Sequence, residues 1–382
     1  MPSQNDNLKS VSASQHASPG ARFNGAMLTT AREAKFLSQG ELAEMLGVSQ
    51  PLVARWEADN SSPNQEQVSS LSQKLGVRSE LFFVDRPRRL ASMSEYYHRA
   101  LAKASRKDVK AIQARCSILD IQIDRLLQIT DNSEDNIPDY DPESPGFDPE
   151  TIADLARKDM GIGPGPIRNL VGAIESCGGI IIDYDLTIPE VDALCRWVPA
   201  MPKLFFINGT KPADRIRWSL AHELGHTIMH FGRDLDQKTA EDQANKFAAA
   251  FLMPAKDIRG DFRRPVNLPD LAAIKRKWRI SMQAAARRAE SIGFIDKQRL
   301  QWLFVQMSRN GWRKSEPVPI AGETPTAFTN LLHQAIDKGF TKRDLADWLF
   351  VFEDSIDKML IDAQSPSYQD SGVRLRVVRN EL

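Results

Sequence analysis

The stretch that most constrains this chain runs from Arg215 to His230, RIRWSLAHELGHTIMH, and reads as one helix. Leu220, Leu224 and Ile228 recur at helical spacing and form an apolar stripe that must be buried. On the other side HELGH sets His222 and His226 one turn apart on a common face, where both imidazoles can reach one metal ion, with Glu223 beside them at the ion's open position. This is the HExxH arrangement of a zinc hydrolase. Two neutral imidazoles and a third ligand hold Zn²⁺ and leave room for a water, whose pKa falls from ~16 to about 7 at such a metal. Glu223 is then the expected general base, taking the water's proton and passing it to the leaving amine. The same ligand types accept Mn²⁺ or Fe²⁺. The plainer alternative is two histidines on an ordinary amphipathic helix, but with only six histidines in 382 residues that coincidence is uncommon.

The third ligand is expected from the next helix, TAEDQANKFAAAFLMP, where Glu241, Ala244, Asn245, Ala248 and Leu252 fall on one stripe. The alanines let two helices approach closely, which favours Glu241 as the ligand. Asp242 is the rival and lies off that stripe. Asn245, one turn beyond Glu241, is expected to orient a ligand imidazole. His230 lies ~12 Å along the helix from His222, too far to share one ion, and is expected behind the ligands or simply packed.

The run from Arg215 to Pro254, HELGH followed by E-x-Q-A-N-x-F-A-A-x-F-L-M-P, resembles the ImmA/IrrE family of metallopeptidases, as do GPGPIRNLVGAIESCGGIIIDYDL and the VDALCRW to LFFING segment upstream. The resemblance implies a gluzincin-like endopeptidase that cleaves helix-turn-helix repressors. Some relatives carry Glu where Gln243 stands, so Gln243 is not taken as a ligand.

A second motif lies near the N-terminus. Ser38 to Asp59, SQGELAEMLGVSQPLVARWEAD, reads as a capped helix with Ala43 and Leu46 inward, Gly47 in a turn, and a second helix capped by Ser49 with Val53 and Trp56 inward. This is a helix-turn-helix unit. Across about sixty residues, including LTTAREAKFLSQGELAEMLG and the close at Trp56 and Glu57, it resembles the lambda-repressor-like Xre family. In such a unit the second helix enters the DNA major groove by its N-terminal end. Gln50, Ala54 and Arg55, with Ser49 at the cap, are therefore the candidate contacts to double-stranded operator DNA, and Gln39 would approach the backbone. A small helical bundle for protein contacts is the plainer reading.

Charge limits that interface. Between Gly25 and Asp85 the bases Arg32, Lys35, Arg55, Lys74 and Arg78 are outnumbered by Glu33, Glu41, Glu44, Glu57, Asp59, Glu66, Glu80 and Asp85, so one copy should bind DNA weakly. The following stretch, with Arg86, Arg88, Arg89, Arg99, Lys103, Arg106, Lys107, Lys110 and Arg115, is basic. It reads as a long helix over 93–129 that either joins domains or pairs with its copy in a homodimer.

The chain is therefore expected to be mainly α with a small β-sheet (α+β). The expected parts are a disordered lead over 1–24, a helix-turn-helix bundle over 25–85, a basic helical connector over 86–130 and an acidic, Pro-rich linker over 131–148. A gluzincin-like peptidase domain is expected over 149–260, with strands at 180–184 and 203–207; the resemblance implies an edge strand at the latter place that aligns a substrate backbone. A basic helical subdomain over 261–314 looks like a second helix-turn-helix with Ser281 as cap and is read as packing rather than as a second DNA reader. A C-terminal helical element and tail cover 315–382. No apolar span or signal-peptide core is seen, and the widely spaced Cys116, Cys177 and Cys195 fit buried thiols in a reducing cytosol. The expected function is a cytoplasmic DNA-binding regulator with a zinc endopeptidase domain. It would cleave a repressor, an antitoxin-like protein or its own linker in a stress or mobile-element response. The alternative is a transcription factor or antitoxin whose metal domain senses without proteolysis.

Overall fold

The computed structural model describes residues 22–85, 105–131, 135–183, 192–196, 201–233, 235–313 and 315–361. The N-terminal lead through residue 21, the start of the expected connector helix, Tyr184 at the end of the first strand and the tail beyond 361 lie outside them. The fold is mostly helical with one three-stranded sheet among the described residues, and it divides into two compact units.

The first unit combines residues 22–85, 105–131 and 328–361. Four helices open it: α1 (Gly25–Ala34), α2 (Gln39–Leu46), α3 (Gln50–Glu57) and α4 (Gln65–Leu75), followed by a 3₁₀ turn over Ser79–Phe83. Ser38 and Glu41 form a reciprocal capping box at the start of α2, and Gly47 ends it at φ 66°, a left-handed conformation that a residue without Cβ adopts at no steric cost. Ser49 occupies the cap position of α3, yet its hydroxyl makes no cap bond; Pro51 in the first turn has no N–H to satisfy. Met27, Leu28, Leu42, Val53, Trp56, Leu71 and Phe82 are buried together. Ala43 joins them, whereas Leu46 is only half-buried.

The connector forms α5 (Arg106–Ile129), begun by a capping box between Ser105 and Asp108. Arg115 donates from Nε to the Ala34 carbonyl at 2.8 Å and lies over the Phe36 ring. On its other side come the C-terminal helices α6 (Ala327–Asp337), α7 (Lys342–Trp348) and α8 (Glu353–Ile361). Gln122 donates to the Leu349 carbonyl, Arg125 stacks on both Trp348 and Phe350, and Trp348 Nε1 donates to the Arg125 carbonyl at 2.7 Å. Phe350 joins the core of the helix-turn-helix bundle. Of the apolar positions of α5, Ile112, Ile121, Leu126 and Ile129 are buried and Ile118 is half-buried.

The second unit takes in residues 135–327. The acidic segment at its start is docked rather than loose: Ile137 is buried in the core, Lys203 binds Asp135, Arg233 binds Asp139, and Tyr140 N–H donates to the Ile228 carbonyl. Helices α9 (Pro149–Asp159) and α10 (Leu170–Ser176) lead to the sheet of β1 (Ile180–Asp183), β2 (Ala193–Arg196) and β3 (Leu204–Ile207), in the order β1-β3-β2. β3 is paired on both sides, parallel to β1 and antiparallel to β2 with Cys195 opposite Phe205. The strand at 203–207 is therefore central, and among the described residues the edge beside the HELGH helix is β2 (Ala193–Arg196), a segment not expected as a strand.

The HELGH helix is α11 (Ala213–Met229), packed against α12 (Gln237–Leu252). After the short α13 (Ala255–Ile258) come α14 (Leu268–Trp278), α15 (Met282–Ser291) and α16 (Lys297–Arg309). The basic cluster here is largely engaged internally. Lys275 binds Asp214 and Glu316, Lys277 binds Asp261, and Arg288 forms a two-pronged pair with Glu150 and donates to the Met253 carbonyl. The strap after α16 is held by carboxylates: Glu316 accepts from the Met282 and Gln283 N–H groups, and Glu323 binds Arg217 and accepts from Leu170 and Val171 N–H.

Removing the Trp348 ring should loosen α5. We expect Trp348→Ala to destabilise the first unit by about 3–5 kcal/mol, the usual cost of deleting a large buried aromatic. Hydrogen exchange over residues 106–129 should read this out; unchanged protection there would show that α6–α8 do not hold the connector.

Candidate functional site

The apolar stripe of α11, Leu220, Leu224 and Ile228, is fully buried and fixes which way the helix faces. Opposite α12 stands Gly225, where a Cβ would lie 2.9 Å from the Phe247 ring, so only glycine permits this separation of the helices. Ala244 and Ala248 are buried on the facing side. The close approach brings three side chains together. His222 Nε2 and His226 Nε2 lie 3.1 Å apart, and the Glu241 carboxylate is 3.7 Å from the latter and 3.9 Å from the former. One ligand atom from each of the three lies within 4.8 Å of the others.

The chemistry of this donor set fits a divalent cation. Burial, reinforced by His222 and His230, holds the His226 imidazole well below its ordinary range, so that ring is neutral at physiological pH. Its Nε2 and that of His222 converge with a carboxylate, two imidazole nitrogens and oxygens that a metal ion accepts. Asp242 is exposed and falls outside this group.

Glu223 adjoins the cluster from the sheet side. Its Oε2 accepts the main-chain N–H of Cys195 on β2 at 3.0 Å, and loss of water around it pushes its carboxyl up to about 7. The buried Cys195 thiol is held in its neutral form by burial and by the Glu223 carboxylate beside it. His230 sits at the C-cap of α11, with its Nδ1 2.9 Å from His226 Nδ1 and its Nε2 2.9 Å from the Gln243 side-chain oxygen. Asn245 does not make the expected contact with an imidazole. It is exposed, and its amide donates to the Glu241 carbonyl of its own helix at 2.8 Å. Gln243 and Cys195 were not singled out from sequence as parts of this site. Gln243 lies off the stripe that carries Glu241, and Cys195 reaches Glu223 only through the tertiary placement of β2.

On the helix-turn-helix unit a second constellation faces outward. Arg32 pairs with Glu57 at 2.5 and 3.0 Å; Gln39 Nε2 donates to Glu57 at 2.8 Å; Gln50 Nε2 donates to Gln39 Oε1 at 3.1 Å. A sheltered ion pair thereby sets Gln39, which sets Gln50 at the N-terminal end of α3. Gln50, Ser49 and Arg55 are exposed and Ala54 partly so. Lys107 and Lys110 of α5 lie near Glu41 and Glu33 at 3.4 and 3.6 Å, exposed pairs that offset the acidity of this face without adding much stability.

The packing at Gly225 is directly testable. Gly225→Ala should force α11 and α12 apart, cost about 1–3 kcal/mol and move His226 away from Glu241. Unfolding measurements and a structure of the variant check both effects, and an unperturbed variant would mean that Phe247 yields freely.

Comparison with known families follows the same division. A family model described as the IrrE N-terminal-like domain matches residues 183–290, which include α11 to α14 and nearly all of α15. A model described as helix-turn-helix matches residues 28–82. No curated protein matches the chain. The chain thus joins an Xre-type helix-turn-helix domain to an ImmA/IrrE-like metallopeptidase domain.

Proposed function

We propose that this protein is an operator-binding regulator whose second domain is a zinc-dependent endopeptidase acting on a helix-turn-helix repressor or an antitoxin-like protein. The observation that carries the reading is the convergence of His222, His226 and Glu241 beside a carboxylate, Glu223, that is not itself one of the three. These three residues would hold the ion, zinc or alternatively Mn²⁺ or Fe²⁺, which when bound would supply Lewis acidity to a peptide carbonyl and to the attacking water. Glu223 takes the proton of that water and returns it to the nitrogen of the cleaved bond. Cys195 N–H steadies the carboxylate, and His230 stands behind His226. β2, the edge strand among the described residues, offers main-chain groups to an extended substrate segment. The docking of residues 135–141 on their own unit favours a separate protein over the chain's own linker as substrate.

No helix among the described residues is long and apolar enough to cross a membrane. We place the protein in the cytoplasm, where operator DNA and a repressor partner would both be met.

Glu223→Gln keeps shape and ligands but cannot accept a proton, so cleavage of a repressor encoded nearby should fall about 10²- to 10⁴-fold while zinc content is unchanged. His222→Ala and Glu241→Ala should instead lose the ion, as elemental analysis would show. Mass spectrometry of the reaction products decides the matter: cellular effects that persist in Glu223→Gln but vanish in His222→Ala would replace a peptidase with a metal-dependent sensor.

DNA binding should be separable. With Gln50 and Arg55 both changed to Ala, gel-shift binding should be lost while cleavage of a supplied substrate persists, and wild-type affinity should fall steeply with salt. Retained binding by the double variant would move the DNA contact to another surface.

A further inference from the structure

The buried pair His226 and His230 fixes more than either ring alone. Their Nδ1 atoms lie 2.9 Å apart, and each residue is 1% exposed. Two ring nitrogens at this distance bond only when one bears a proton and the other a lone pair. Resting on the metal reading above, His226 gives its Nε2 lone pair to the ion, so its single proton is on Nδ1. His230 Nδ1 is then the acceptor, and the proton of His230 is on Nε2. That N–H requires an acceptor, and the group 2.9 Å away is the carbonyl oxygen of the Gln243 amide. The demand of the ligand at one end and an acceptor oxygen at the other therefore favour the same direction for both bonds.

We infer that Gln243 is a positioning residue for the metal centre: through His230 it locks the tautomer and ring orientation of His226. The relay runs from α12 to the C-cap of α11, so the same helix contact that assembles the ligands also orders the protons behind them. Gln243 touches neither substrate nor ion. Its amide is uncharged, so the acceptor it presents stays an acceptor across the physiological pH range, and turning the amide round would set a donor against the His230 N–H.

The test uses the full-length, zinc-loaded chain labelled with ¹⁵N in histidine. Long-range ¹H–¹⁵N correlations should place a proton on His226 Nδ1 and on His230 Nε2. Gln243→Leu keeps the bulk but removes the acceptor; we expect a mixed His230 tautomer and zinc affinity weakened about 10- to 100-fold. Gln243→Glu keeps an acceptor oxygen and should restore most of that affinity. A role in packing alone would give the opposite ranking, with Leu tolerated and Glu not, and would overturn the inference. Zinc-loaded wild type with the proton on His230 Nδ1 would overturn the relay and leave the ligand set standing. Wild type that takes up no zinc in equilibrium dialysis would remove the metal reading and the relay together.

Discussion

The second unit depends on how closely α11 and α12 approach. Helix pairs usually lie 8–10 Å apart, with the exact value set by the side chains at the contact. Gly225 against the Phe247 ring, with Ala244 and Ala248 nearby, puts this pair at a separation where a carboxylate from one helix meets two imidazoles from the other. Everything chemical about the site follows from that contact. A bulkier residue at Gly225 would leave His222 and His226 together on α11 and draw Glu241 on α12 away from them.

Much of the remaining charge in this unit serves architecture. Lys275, Arg217 and Arg288 are buried; all three meet carboxylates, and the two arginines also meet main-chain carbonyls. Removing one partner of such a pair leaves an uncompensated buried charge, which commonly costs about 3–5 kcal/mol. Glu316 and Glu323 do double duty, since each neutralises a cation and also accepts main-chain N–H groups at a helix start. A run rich in Lys and Arg can look like a nucleic-acid surface, and here it is largely internal wiring of the protein. In contrast, the helix-turn-helix face keeps Arg55 exposed.

What could be read from sequence was what is local. The capping residues Ser38 and Ser281, the left-handed Gly47 and the buried stripes of α3 and α11 all follow from spacing and residue type within a dozen positions. The convergence of His222, His226 and Glu241 reaches across two helices consecutive in the chain, whose matched stripes leave few ways to pack. What was not legible depends on distant parts of the chain. β2 owes its place to the pairing of β3, Asn245 turned to its own backbone because it sits on the exposed side of α12, and the acidic linker is docked because Ile137 found a core position. The long helix expected from residue 93 begins at 106 in the described part, where Ser105 and Asp108 supply the cap that apolar periodicity could not locate.

The first unit is assembled from segments at both ends of the chain, with the whole second unit lying between them in sequence. That arrangement has a consequence for biosynthesis. After α5 leaves the ribosome, roughly 200 more residues must be made before its partners α6–α8 exist, a wait on the order of ten seconds or more at ordinary elongation rates. The peptidase-like unit is therefore complete in synthesis before the last segment of the first unit is made. During that interval the apolar flank of α5 lacks its native cover and is open to chaperones. The order of translation thus completes the metallopeptidase-like domain before the unit that carries the helix-turn-helix has all its segments.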